Sequence, residues 1–243
     1  MDLTSPPQAA PIRAAVFDKD GTLFDFRASW GAWTRSVLQE LTRTPEEAGR
    51  IAGKLGFDPL TGDFAPGSMV IAHSTFEIAD FLAGELSHLA GQDLRLRLER
   101  LARAAPMVPA VDLPAVFGAL RGAGLQIGLA TNDTEAPARH HLDQAGVLPL
   151  FDFVAGCDSG WGGKPAPGQL LAFAGACGLA PGQIVMVGDS VHDMQAGRAA
   201  GMACVAVLTG IAREPDLRTH ADAVLPDISA LLGWIQGQNA RRS

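Results

Sequence analysis

Lysine is scarce in this chain: Lys19, Lys54 and Lys164 are the three, and the formal net charge is −7. A surface so short of basic charge excludes binding to a nucleic-acid backbone, where affinity comes from neutralised phosphates. It leaves room for a small phosphorylated ligand, because a few cations and a metal ion can reverse the field inside one cleft. Cysteine is equally thin. Cys157, Cys177 and Cys204 show neither CxxC nor zinc-ligand spacing, which points to reduced, partly buried thiols in a cytoplasmic protein. No run approaches the roughly 18 apolar residues that a membrane span needs. Residues 1–11 lack the basic end and apolar stretch of a secretory signal and read as a flexible tail. There is no internal repeat and no low-complexity segment.

What is present is a globular composition, 47% apolar and 19% charged over 243 residues, enough for one domain carrying a substantial insertion. Three apolar runs end in polar or acidic residues: 12–17 before Asp18, 125–130 before Thr131, and 184–187 before Gly188-Asp189. Each is followed by a helical pattern, an alternation that predicts an α/β fold with a Rossmann-like parallel sheet and helices on both faces. Shorter strands are expected at 151–155, 204–208 and 223–225, and helices at 113–123, 135–144, 167–177, 192–200 and 228–235. Gly124, Gly146, Gly178 and Gly201 fall just after four of those helices, where left-handed caps are common.

Residues 27–107 have a different texture. Trp30, Trp33, Val37, Leu38 and Leu41 recur on one helical face, and Ser74-x-x-Glu77 opens another helix as a capping box before Ile78, Phe81, Leu82 and Leu86. Leu94, Leu98 and Leu101 continue the pattern, while residues 60–70, with Gly and Pro, read as a loop or small hairpin. The expected organisation is a core of residues 12–26 and 108–238 with an inserted α-helical cap domain of residues 27–107.

The chemistry-bearing residues stand at the strand ends, beyond which open parallel sheets bind their ligands. These are Asp18-Lys19-Asp20-Gly21-Thr22, then Thr131-Asn132, then Gly188-Asp189-Ser190-Val191-His192-Asp193. Four carboxylates in one crevice repel each other unless a cation sits among them, and oxygen donors without a His or Cys set favour Mg²⁺. Asp18 and Asp20, two apart, can face one side while Lys19 turns away, giving a nucleophile and a general acid–base side by side. Each piece alone has a plainer reading. DxDGT is also an Asx-capped turn, Lys164 in a GGKPAP stretch a solvated loop lysine, and Asp193 a helix-start carboxylate.

Together the pieces resemble the haloacid dehalogenase-like hydrolase superfamily. Its first motif, DxDGT, is matched by Asp18 to Thr22, its strand-end Thr or Ser by Thr131, its Lys-Pro by Lys164-Pro165, and its GD pair with a further Asp by Gly188-Asp189 and Asp193. The resemblance implies a Mg²⁺-dependent phosphatase that acts on a small phosphorylated metabolite through an aspartyl phosphate. Asp18 would attack phosphorus, Asp20 would protonate the leaving alkoxide and later activate water, and Lys164 would neutralise the transferring charge. Thr131 and Asn132, with Lys164, would bind the phosphoryl group. Asp18, Asp20 (through its backbone carbonyl), Asp189 and Asp193 would hold the metal, Asp193 directly or through a water.

The long interval between Asp20 and Thr131 resembles members whose cap lies between the first two motifs. Asp20 counts against a dehalogenase and against a phosphonoacetaldehyde hydrolase, which also needs a cap lysine; Lys54 is the one candidate. Among phosphatases, the helical cap and the motif run resemble phosphoglycolate phosphatase and its relatives, with Asp25-Phe26 standing where those enzymes often have Asp-Ser. A sugar phosphomutase and a non-catalytic phospho-ligand-binding module are the alternatives, and a monomer or a homodimer is equally compatible. Asp25 reads as a hinge or helix-start residue. His140 and His141 read as helix surface, Trp30 and Trp33 as cap core, and His192 is not assigned to substrate.

Overall fold

In the computed structural model residues 10–65, 67–89 and 93–242 are described; residues 1–9 of the expected tail lie outside them. The strands are β1 (Ala14–Phe17), β2 (Gln126–Ala130), β3 (Phe153–Ala155), β4 (Ile184–Gly188), β5 (Ala203–Val207) and β6 (Ala223–Leu225). They form one sheet in the order β3-β2-β1-β4-β5-β6, parallel throughout. Alternate side chains supply two cores, as a pleated strand buried on both faces requires. Ala15, Phe17, Ile127, Leu129, Val185 and Val187 enter one, while Ala14, Val16, Ala130, Ile184 and Met186 enter the other.

Between β1 and α6, the helix that leads into β2, lie α1 (Phe26–Leu41), α2 (Pro45–Leu55), α3 (Met69–Ala72), α4 (Thr75–Glu85) and α5 (Leu94–Arg103). After them come α6 (Leu113–Gly122), α7 (Glu135–Gln144), α8 (Gly168–Cys177), α9 (Val191–Ala200), α10 (Glu214–Arg218) and α11 (Leu231–Arg242). Among the described residues no helix is long and apolar enough to cross a membrane.

Helices α1 to α5 bury a hydrophobic cluster of their own, built on Trp33, Leu41, Ile51, Leu55, Ile78, Leu82 and Leu98. Each fully buried side chain of this kind contributes about 1.5–3 kcal/mol, so the helical unit has its own source of stability. The chain leaves and re-enters the sheet side by side. Asp25 N–H donates to Val108 O (2.8 Å), and Val108 N–H donates to Ser29 Oγ (3.0 Å). Asp25 also caps α1, its Oδ1 accepting from Ala28 N–H at 2.8 Å. The Ser74–Glu77 capping box opens α4.

Two elements differ from the sequence expectation. Helix α3 (Met69–Ala72) begins inside the loop expected over 60–70, because Ser68 Oγ accepts from Val70 N–H (3.2 Å) and starts a turn. The hairpin expectation survives upstream as a single antiparallel bridge between Phe57 and Phe64. Helix α11 runs on to Arg242 because Asn239 clamps the Ile12 backbone, accepting from its N–H (2.7 Å) and donating to its carbonyl (3.0 Å).

The topology places the site. The chain winds outward through β2 and β3 on one side of β1, then restarts with β4 on its other side. That reversal opens a crevice at the carboxyl ends of β1 and β4, and Asp18 and Asp189 are the residues that follow those two strands. Asp18 N–H is still held by Val187 O, at 2.8 Å, so the two strand ends stay in register up to Asp18.

Candidate active site

Asp18, Thr131, Lys164, Asp189 and Asp193 are all buried and line one pocket together with Asp20 and Asn132. Lys164 sits at its centre, Nζ lying 2.5 Å from Asp18 Oδ1 and 2.6 Å from Asp193 Oδ1. It reaches inward from the loop between β3 and α8 because Asn132 grips its backbone. Asn132 Nδ2 donates to Lys164 O (3.0 Å), and Lys164 N–H donates to Asn132 Oδ1 (2.8 Å). The Asn132 side chain therefore acts on Lys164.

Asp193 has two tasks at once. Its Oδ2 accepts from Ser190 N–H (3.0 Å) and Ser190 Oγ (2.6 Å), closing a capping box at the start of α9, while Oδ1 faces Lys164. Asp189 lies over the DxDGT turn, where Thr22 Oγ1 approaches its Oδ1 at 3.4 Å. This close seating requires Gly21: its φ is +87°, and a Cβ there would fall 2.4 Å from Asp189 Oδ2.

Asp18, Asp189 and Asp193 each offer one oxygen, and the three oxygens lie within 4.8 Å of one another. An all-oxygen, buried, mutually repelling set of this kind fits a hard divalent cation. The electrostatics agree. Burial pushes the Asp18 carboxyl up to about 7 against the pull of Lys164, and the Asp193 and Asp20 charges add to the rise. Burial, then the charges of Asp18 and Asp193, raise Asp189 well above the ordinary carboxylate range. Burial works against the Lys164 ammonium, but Asp18 and Asp193 outweigh it and hold the lysine above its usual value.

Asp20 belongs to a second network. Lys19, expected to turn away from the site, does turn from Asp18 yet is fully buried. Its Nζ lies 3.1 Å from Asp20 Oδ1, 2.9 Å from Asp133 Oδ2 and 3.1 Å from His141 Nδ1, with the Trp30 ring centroid 5.4 Å away. His141, read from sequence as helix surface, is fully buried, and its Nε2 lies 2.9 Å from Ala102 O on α5. The surface reading fails because α7 is covered on that side by α5. Burial and the Lys19 charge push the imidazole down to about 3, so it is neutral, accepting from Lys19 at Nδ1 and donating to Ala102 at Nε2. Burial raises the Asp20 carboxyl, Lys19 opposing and Asp133 reinforcing the shift.

The helical unit closes the pocket with Phe26, Trp30, Val70, His73, Thr75 and Ile78, and His192 lines it from the core. Trp30 thus serves both the pocket wall and the helical core, where it meets Trp33 edge-on at 4.9 Å. Sequence reading missed Val70, His73 and Thr75, which share no spacing with the strand-end motifs. Among the described lining residues Lys164 is the one lysine or arginine. Lys54 instead pairs on the surface with Glu85 Oε1 at 2.6 Å, which removes the candidate for an imine-forming cap lysine.

Comparison with known proteins follows the same lines. Residues 12–201 match the family model described as haloacid dehalogenase-like hydrolase. A phosphoglycolate phosphatase from Pseudomonas putida is 30% identical over 230 residues, covering 90% of this chain and 78% of that protein. One from Rhodospirillum rubrum is 38% identical over 122 residues, a match that spans half of each chain. Among solved structures, a predicted phosphoglycolate phosphatase from Haemophilus somnus superposes with a TM-score of 0.67 at 21% identity, over 92% of this chain and 97% of that one; this likeness is one of fold. The motif order, the crevice at the strand reversal and the length of the family match agree: the chain belongs to the haloacid dehalogenase-like hydrolases.

Proposed function

We propose that the chain is a Mg²⁺-dependent phosphatase that hydrolyses a small phosphomonoester through an aspartyl phosphate on Asp18, with phosphoglycolate the leading substrate. The observation that carries this reading is the placing of Asp18 against the Lys164 ammonium at 2.5 Å, with Asp20 two residues on in the same pocket. Asp18 attacks phosphorus, the phosphorus–ester oxygen bond breaks, and the departing alkoxide takes its proton from Asp20. Water then attacks the phosphorus of the aspartyl phosphate, giving its proton to Asp20 and freeing Asp18. Lys164, the Thr131 hydroxyl and the Asn132 backbone N–H stabilise the charge on the transferring group. Asp18, Asp189, the Asp20 backbone carbonyl and Asp193, directly or through a water, would hold Mg²⁺, whose charge lets an anionic nucleophile approach an anionic ester.

The raised position of Asp20 suits an acid that must carry a proton before the ester breaks. The substrate assignment rests on the activity of the similar enzymes and on the pocket. Its outer wall is mostly apolar, and Thr75 Oγ1 is buried there without a hydrogen-bond partner among the described residues, a donor for the carboxylate of a short hydroxyacid phosphate.

The test is phosphate release from a panel containing phosphoglycolate, sugar phosphates and simple alkyl and aryl phosphates, with Mg²⁺ and then with EDTA. Metal-dependent release that peaks on phosphoglycolate is expected. A folded protein releasing phosphate from none of them would favour the mutase or binding-module readings instead. Asp189→Asn is expected to raise the Mg²⁺ concentration for half-maximal activity by about tenfold or more. An unchanged requirement, read from a metal titration of the variant, would place the ion elsewhere.

A further inference from the structure

A buried lysine between two motif aspartates needs a reason. An apolar side chain of similar volume would fill the space between the end of β1 and α7 without desolvating a charge, and buried ion pairs of this kind are often no more stable than their hydrophobic replacements. What distinguishes this ammonium is how fully it is used. Its Nζ donates to Asp133 Oδ2 (2.9 Å) and to His141 Nδ1 (3.1 Å), and it forms an ion pair with Asp20 Oδ1 at 3.1 Å.

The two hydrogen-bonded partners are themselves fixed. Asp133 Oδ1 accepts from Thr134 N–H (2.8 Å), and Asp133 N–H donates to Thr131 Oγ1 (3.1 Å), tying it to the loop that carries the phosphoryl-binding threonine. His141 is anchored by α5 through Ala102 O. The ion-pair partner, Asp20, reaches the open pocket.

We propose that Lys19, braced by Asp133 and His141, is a positioning residue for Asp20, holding its carboxyl where the leaving oxygen takes up a proton. Lys19 touches neither substrate nor phosphoryl group; it acts through its ion pair with the Asp20 carboxyl. The brace also gives Asp20 a mechanical link to the Thr131 loop and to the helical unit, so the acid is set by the same elements that shape the pocket. The inference rests on the reading of Asp20 as general acid.

The experiment compares kcat/KM, which reports the steps up to ester cleavage, on two kinds of ester. An alkyl phosphate, the best of the panel, expels a basic alkoxide that needs the acid, whereas 4-nitrophenyl phosphate expels a weakly basic phenolate that needs little help. Lys19→Met is expected to lower kcat/KM on the alkyl ester by about tenfold or more, and on the aryl ester several-fold less. Because that change leaves Asp133 without its cation, Lys19→Met/Asp133→Asn provides a second, charge-balanced variant should the single one fail to fold, with the same split expected. Parallel losses on both esters would make Lys19 a structural residue only, and no loss on either would remove it from the site; both outcomes overturn the proposal. Asp20→Asn separates this from failure of the parent reading: if it does not itself discriminate between the esters, Asp20 is not the acid and the inference falls with it.

Discussion

Asp18→Asn is expected to give a folded protein whose turnover has fallen about 10⁴-fold or more, the scale seen when a covalent nucleophile is removed. An amide oxygen is a poor nucleophile toward phosphorus, and neither Asp20 nor Asp193 can take its place. Asp20 is committed to Lys19, and Asp193 to Ser190 and Lys164. The substitution should not cost the fold. In the metal-free protein the Asp18 carboxyl lies at about 7 against an ordinary 3.8, burial being the main cause. The folded state therefore binds this proton more tightly than the unfolded chain does. The ionised group opposes folding, and its contribution to stability falls as pH rises from about 4 to about 7. A neutral amide is exempt from that fall. In EDTA at pH 8, Asp18→Asn should melt at or above the wild-type temperature, and the difference should shrink toward pH 4. A variant that turns over normally would remove Asp18 as nucleophile, while one that melts far below wild type would make its inactivity uninformative.

How much of this was visible in the sequence depends on the distance over which partners act. The strands were legible because a parallel sheet buried on both faces writes each strand as a continuous apolar run, and because Asp18, Thr131 and Asp189 stop three of those runs at their carboxyl ends. The capping box at Ser74 was legible because both partners sit in one helical turn. The Lys19 network was not. Asp133 and His141 lie more than a hundred residues away in the chain, and the one hint was a lysine between two motif aspartates. His141 was misread because α7 alone does not reveal that α5 covers it. Asn132 shows a subtler limit: its side chain clamps the Lys164 backbone, a contact that only the fold brings within reach. Val70, His73 and Thr75 reach the pocket from α3 and the start of α4, and nothing in local sequence marks which turn of an inserted helical unit will face the sheet.

Lys164→Ala carries the second large expectation, a loss in kcat of about a hundredfold or more, as for removal of a fixed group that stabilises developing charge. The geometry makes two separate demands on this ammonium. During transfer it offsets the negative charge spread over Asp18 and the phosphoryl oxygens. In the resting site it pulls Asp18 toward the ionised form, its charge being the main influence that lowers the carboxyl against burial. With Lys164 gone, Asp18 should titrate higher still, so the acidic limb of the pH–rate profile should move toward higher pH as well as the maximum falling. A lysine that merely tied the loop between β3 and α8 to the sheet would change the rate without moving that limb. Lys164→Arg is expected to recover little: the planar guanidinium cannot occupy the point between Asp18 Oδ1 and Asp193 Oδ1 that Nζ holds at 2.5 and 2.6 Å. A drop in kcat below a few-fold in Lys164→Ala, with an unshifted profile, would return Lys164 to the loop and leave Asp18 to be activated by the metal alone.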